Sequence, residues 1–136
     1  MTTHRHEVRV YYQDTDAGGI VYHAQYLAFA ERARSEALRS LGIPHVEMVR
    51  QFGVMLVVQQ LNLTYLRPAR LDEVIGIETG IIAASGARVT LRQEFRRDGI
   101  SLAMLEISLG CARVADGRAA RMPELWRTRL REVLVA

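Results

Sequence analysis

One stretch of helical period interrupts a chain that is otherwise written in strands. Across residues 24–41, Tyr26, Ala30, Ala33, Ala37 and Leu41 recur at three- and four-residue spacing, which lines them along one helix face. That face is mostly alanine, and small side chains let a helix lie close against a sheet. Glu31, Arg32, Arg34, Glu36 and Arg39 fall mainly on its other sides. Gly42 ends this helix. Pro44 opens a short second one over residues 45–51, stopped by Gly53. Before the long helix, residues 4–13 alternate, with Val8, Val10 and Tyr12 opposed to Arg9 and Tyr11. After it, strands are expected over residues 54–66 (with a possible bend), 73–84, 88–97 and 101–115. Pro68 with Leu71-Asp72, then Ser85-Gly86, then Asp98-Gly99 separate them. The Asp116-Gly117 turn leads to a terminal helix over 124–134, with Leu125, Trp126, Leu130, Val133 and Leu134 apolar. The expected class is α+β: a first strand, a long helix and four further strands in an antiparallel meander. The resulting five-stranded sheet wraps around one central helix. Apolar residues on both sides of 54–58 and 75–82 call for cover on the second sheet face, which favours an oligomer.

At 136 residues the chain is expected to form a single domain, 1–136. Apolar residues are 49% of it and charged residues 24%, enough for a core beneath a hydrated surface. No apolar run is long enough to span a membrane, and the N-terminal MTTHRHEVRV lacks a signal-peptide core. A cytoplasmic location is the default expectation. The lone Cys111 cannot form an internal disulfide. It sits in an apolar strand and reads as a small buried residue. All 18 basic residues are Arg, whose fork suits phosphate groups. The net charge of +3 is modest and the Arg are scattered without interleaved aromatics, which argues against a nucleic-acid partner.

The residues that carry chemistry concentrate ahead of the long helix, in YYQDTDAGGIVYHAQY. Paired acids, Asp14 and Asp16, precede a flexible Ala17-Gly18-Gly19 turn, and the helix is expected to begin near Tyr22 or His23. A helix N-terminus offers unpaired N–H groups and a positive dipole end. A carboxylate beside it suggests acyl transfer, with a base or nucleophile next to an oxyanion site. Taken alone, Asp16 could equally be a turn former whose carboxylate accepts backbone N–H groups. Asp14 reads as the structural member of the pair. Asp14, Asp16 and His23 match no compact ligand spacing, so no metal is expected. His4 and His6 fall at an end expected to fray.

The same string resembles the signature of hotdog-fold acyl-CoA thioesterases of the 4-hydroxybenzoyl-CoA thioesterase type. Within that family it is most similar to the branch associated with the Tol-Pal system of Gram-negative bacteria. The likeness runs over nearly the whole chain, through LTYLRPARLDEV and RDGISLAMLEISLGCARVADGRAARMPE. It implies the hotdog fold and thioester hydrolysis. It further implies that Asp16 attacks the thioester carbonyl or activates a water, while the backbone N–H of His23 holds the oxyanion. Gly19, Val21, Tyr22 and Tyr26 would line the oxyanion and acyl pocket, with Asn62, Thr64 and Tyr65 facing it from a second copy. Homodimers joined edge to edge, often paired into tetramers, are implied. No bound cofactor is, since CoA is part of the substrate. Ala17 in place of a Pro, and Tyr22-His23 after Val21, depart from the aromatic-hydroxy branch. Short- to medium-chain acyl-CoA is therefore expected, with aromatic acyl groups or an acyl carrier protein as alternatives. A reading of another class is a module that binds acyl-CoA or carrier protein without turnover. A dehydratase would need His23 with Glu31, a poor match.

Two readings of the His23 side chain stay open: an acid for the leaving thiolate, or a ring that packs while its backbone acts. Glu31 reads as a surface partner of Arg34 or Ser35. Arg67, Arg88 and Arg92 are candidates for the CoA phosphates. Trp126, Leu130 and Leu134 are expected to pack the last helix onto the sheet.

Overall fold

A computed structural model describes residues 3–135. Its elements are β1 (Thr3–Arg9), α1 (Gln25–Ser40), α2 (His45–Phe52), β2 (Val54–Tyr65), β3 (Val74–Ala84), β4 (Arg88–Arg97), β5 (Ile100–Arg113) and α3 (Glu124–Glu132). The five strands form one antiparallel sheet in the order β1-β3-β4-β5-β2. One face of that sheet packs on α1, and the arrangement is the expected hotdog fold.

Turn chemistry sets the middle of the sheet. Asp98 and Gly99 have φ of 51° and 78°, the left-handed pair that matches the twist of flanking strands. β3, β4 and β5 therefore run as the expected meander. β2 does not join it beside β3. The eight-residue link between β2 and β3 carries Pro68 and no tight hairpin turn, so nothing forces those neighbours to pair. β2 lies instead at the far edge along β5, from Val54↔Arg113 to Tyr65↔Ala103, and β1 takes the other edge beside β3. The first strand also stops short of the expected 4–13. Tyr12–Asp14 coil into a 3-10 turn, and the Asp14 carboxylate accepts the Tyr11 N–H. A side chain competing for backbone donors ends the ladder. His4 and His6, expected at a frayed end, lie within β1 opposite Thr79 and Ile77.

β2 carries one irregularity that matters for the site. Its register slips between Val58 and Gln60, leaving Gln59 as an extra residue. Because strand side chains alternate, one extra residue exchanges the two faces. Val54 and Leu56 face the core before the bulge, and Leu63 packs against it afterwards. Tyr65 shares that parity and so points toward α1.

The alanine face of α1 is buried as expected, with Tyr26, Ala30, Ala33 and Ala37 joined by Phe29 and Leu38. The approach is close enough for a β4 side chain to reach the helix backbone. Gln93 Nε2 donates to the Ala30 carbonyl at 2.9 Å and to Thr79 Oγ1 at 3.0 Å. Its Oε1 accepts from Arg34 Nη1 at 3.0 Å. Arg34 thus reaches into the sheet and, among the described residues, makes no ion pair with Glu31. On α3, Trp126 and Leu130 are buried as expected and Trp126 meets Phe52 of α2 edge-on at 5.8 Å, but the helix ends at Glu132, short of the expected 134, and Leu134 beyond it is exposed and bridges to Ile81 of β3. Among the described residues no helix is long and apolar enough to cross a membrane.

Candidate active site

The segment between β1 and α1 holds its two acids in opposite surroundings. Asp14 is 3% exposed and its oxygens are taken. Oδ2 accepts Tyr11 N–H at 2.8 Å, Oδ1 accepts Gln25 Nε2 at 2.9 Å, and the carbonyl accepts Tyr22 N–H at 2.9 Å. Asp14 thereby ties the turn after β1 to the start of α1. Asp16 is exposed at the surface of this chain. Its N–H donates to the Ile20 carbonyl, its own carbonyl accepts Gly19 N–H, and Oδ1 accepts Gly18 N–H at 2.8 Å. Gly19 has φ of 78°, a conformation that costs glycine little. Among the described residues Oδ2 of Asp16 takes no hydrogen bond.

A cleft of about 370 Å³ opens beside Asp16. Val21, His23, Tyr26, Tyr65 and Arg67 line it with Asp16, and Ile20, Leu66 and Pro68 complete the wall. α1 begins at Gln25, slightly later than expected, after a turn in which Gln25 N–H donates to the Tyr22 carbonyl at 2.8 Å. The His23 carbonyl accepts the Tyr65 hydroxyl at 2.6 Å. The His23 N–H has no acceptor among the described residues. It lies just ahead of the first turn of α1, where the helix dipole is positive. The His23 imidazole is exposed and leans on the Tyr22 ring, with centroids 4.4 Å apart. Tyr26 meets Tyr65 and Phe95 edge-on, each at 5.2 Å. Burial pushes the Tyr26 phenol above its usual pKa, against a smaller lowering by the backbone at Ala69. Burial raises the Tyr65 phenol too. Both hydroxyls therefore remain protonated donors at neutral pH.

The opposite lip of the cleft is the link between β2 and β3. Val21 N–H donates to the Ala69 carbonyl at 2.8 Å, and Ile20 bridges to Arg70. Arg97 Nη1 donates to Glu73 Oε1 at 2.8 Å and to the Pro68 carbonyl at 3.2 Å. Glu73 Oε1 also accepts Arg70 N–H at 2.6 Å. This bracing pair escaped the sequence reading, because nothing local marks a contact between residues 24 positions apart.

The other candidates fall elsewhere. Asn62 and Thr64 have the opposite parity to Tyr65 and line a shallow hollow of about 550 Å³ on the outer sheet face, with Thr90, Met104 and Glu106. Of the phosphate candidates, Arg67 alone lines the cleft. Arg92 is on the outer face, with Nη2 3.9 Å from Glu106 Oε2. Arg88 begins β4, whereas the cleft lies near its end at Phe95, roughly 20 Å along the strand. Within one chain neither reaches the cleft. Gly19 and Tyr22 shape the approach without lining it. Glu31 lies in a separate hollow with Arg34 and His45. Cys111 is buried, and burial pushes its thiol up.

Residues 18–104 match a family model described as the thioesterase superfamily. The chain belongs to that family. It is a thioester hydrolase. The matched stretch begins at Gly18 and does not include Asp16. The acyl-CoA thioesterase YbgC of Haemophilus influenzae is 36% identical over 117 residues, 86% of each chain. The acyl-CoA thioester hydrolase YbgC of Escherichia coli is 45% identical over 92 residues, 68% of each chain. Among solved structures, the hypothetical protein TT1821 from Thermus thermophilus superposes with a TM-score of 0.91 at 30% identity, covering 99% of this chain and all of that one. The likeness of the hydrolase to the Thermus protein thus runs from its first strand to its last helix.

Proposed function

We propose that this thioesterase hydrolyses short- to medium-chain acyl-CoA, with Asp16 at the reacting carbonyl and the His23 N–H at the developing oxyanion. One observation carries the reading. A carboxylate oxygen and a backbone N–H, both left without partners among the described residues, belong to residues that line the same cleft. The relatives named for acyl-CoA support the substrate class.

As a base, the Asp16 carboxylate takes a proton from water and the hydroxide adds to the thioester carbon. Negative charge moves to the carbonyl oxygen, where the His23 N–H and the positive end of α1 stabilise it. Collapse breaks the C–S bond and releases the acid and the CoA thiolate, which takes the proton back from Asp16 or from water. As a nucleophile, the same carboxylate adds to the carbon itself, the C–S bond breaks with loss of the CoA thiolate, and water then opens the mixed anhydride to the free acid and the Asp16 carboxylate, its spare proton going to the thiolate. Either route needs the His23 N–H on the carbonyl oxygen and the Asp16 carboxylate facing its carbon, directly or through one water. CoA belongs to the substrate, and no further cofactor enters. Val21, Tyr26 and Tyr65 would wall the acyl group, and Arg67 would hold a CoA phosphate. A second copy belongs against β2. Among the described residues that edge strand has no neighbour on its outer side, and Val58, Leu61 and Tyr65 are exposed along it; such an edge calls for cover. We place a homodimer there, with tetramers built by further pairing.

The test is thiol release from a graded panel of acyl-CoA esters, wild type beside Asp16→Asn. Turnover that peaks at one chain length and collapses in the variant supports the assignment. Full turnover in Asp16→Asn would overturn Asp16 as the acting group. Hydrolysis of acyl carrier protein esters alone would change the substrate class.

A further inference from the structure

We infer that Tyr65 is a positioning residue for the oxyanion site. From the last residue of β2, its hydroxyl clamps the peptide that leads into α1 and so aims the His23 N–H. The inference rests on the proposed role of that N–H.

The argument starts from the peptide planes on either side of His23. A peptide unit is planar, so fixing its carbonyl fixes the direction of its N–H. The plane that contains the His23 N–H also contains the Tyr22 carbonyl, which accepts Gln25 N–H at 2.8 Å. One anchor leaves that plane free to rock about the axis joining its two Cα atoms. The second anchor acts on the next plane, through the His23 carbonyl. In a continuing helix that carbonyl would accept the N–H four residues on, from Leu27. Here Leu27 N–H donates to the Ala24 carbonyl at 3.1 Å instead. The Tyr65 hydroxyl at 2.6 Å takes the place the helix left open. With both planes held, the backbone angles at His23 are set and its N–H has one direction.

Tyr65 is itself well held. Its backbone pairs with Ala103 in the β2–β5 ladder, and the bulge at Gln59 turns its ring toward α1. The ring rests edge-on against Tyr26 at 5.2 Å, and Tyr26 rests on Phe95. The clamp therefore joins the edge strand to the helix start through a side chain on the cleft wall. Its hydroxyl cannot donate to a bound substrate without releasing the His23 carbonyl. An aimed donor matters most when charge has developed on the oxygen, so its loss should act on kcat more than on KM.

Tyr65→Phe keeps the ring and removes the hydroxyl. We expect kcat on the preferred acyl-CoA to fall about 10- to 100-fold, short of the loss seen when an oxyanion donor is removed outright. KM should stay within about twofold. In the free protein, the amide resonances of His23 and Ala24 should move and exchange faster with solvent, because Ala24 N–H shares its plane with the released carbonyl. An unchanged kcat, or a rise in KM with kcat intact, would overturn the inference; the second result would make Tyr65 a substrate contact. Unmoved His23 and Ala24 resonances would also overturn it. The amide measurement needs no substrate, so it reads the clamp even if the acyl-CoA assignment fails.

Discussion

Two of the hollows along α1 each hold an acid, a histidine and an arginine. The cleft at its start has Asp16, His23 and Arg67; the hollow along its side has Glu31, His45 and Arg34. Residue types do not separate them. Commitments do. In the side hollow His45 Nε2 accepts Leu56 N–H at 3.1 Å, and Arg34 is bound to Gln93, itself locked to Ala30 and Thr79. His45 and Arg34 are thus occupied in holding α1 and α2 to the sheet, and of the three only Glu31 takes no hydrogen bond among the described residues. In the cleft the fold leaves over one oxygen of Asp16 and the N–H of His23. A reacting site needs groups that remain free once the backbone is satisfied and that are held still by groups that are not free.

The sharpest way to break this contrast is to neutralise each acid in turn. Asp16→Asn should lower kcat by about 10²–10⁴-fold, the usual worth of a positioned acid–base group. It should leave the fold intact, since the amide oxygen can still accept Gly18 N–H. Glu31→Gln should stay within about twofold in steady-state assays on the same ester. The reverse result would move the chemistry to the side hollow. Asp14→Ala comes next and should lose stability and activity together. It leaves the part-buried Tyr11 N–H and Gln25 amide without their acceptor, at a cost of about 1–3 kcal/mol in all. Urea unfolding curves beside turnover would show it. An Asp14→Ala protein of normal stability and no activity would make Asp14 a reacting group after all.

Legibility followed the range of the interaction. The Asp98-Gly99 turn, the alanine face of α1 and the D-x-D-x-x-G string each act through neighbours in sequence, and each is legible in the sequence alone. The placement of β2 was not, because two tight turns commit β3, β4 and β5 while the Pro68 link leaves β2 to find β5 by long-range pairing. The bulge at Gln59 left a trace in the broken alternation of Val58-Gln59-Gln60, yet its consequence, Tyr65 aimed at His23, needs the sheet. Arg97 with Glu73 left no trace. That pair tests the second lip of the cleft. Arg97→Met should cost about 1 kcal/mol by removing the charged donor from Glu73, which keeps only Arg70 N–H, and from the Pro68 carbonyl. It should also loosen the loop carrying Arg67, raising KM for CoA esters more than it lowers kcat. Equal KM with lower stability would make the pair a brace of the fold alone.

The smallest effect expected is a pH dependence that belongs to the side hollow. Burial, and then the nearby Arg34, push the His45 imidazole below its usual value of 6.5, while Glu31 acts weakly the other way. The Leu56 N–H on Nε2 also favours the neutral ring. Above pH 6.5 the folded and unfolded chains both hold His45 neutral, and it adds no slope. Below that value the unfolded chain takes up a proton that the folded chain resists. Stability contributed by the neutral ring is therefore lost as pH falls through the lowered folded value, and the loss levels off beneath it. Thermal unfolding followed from pH 7.5 to 5 should show a gentle acid-side decline that shrinks in His45→Gln. The same substitution should leave the hydrolytic pH profile unchanged, because His45 does not line the cleft. A profile that moved with His45 would mean the two hollows are coupled through α1, and the separation drawn from their hydrogen bonds would have to be given up.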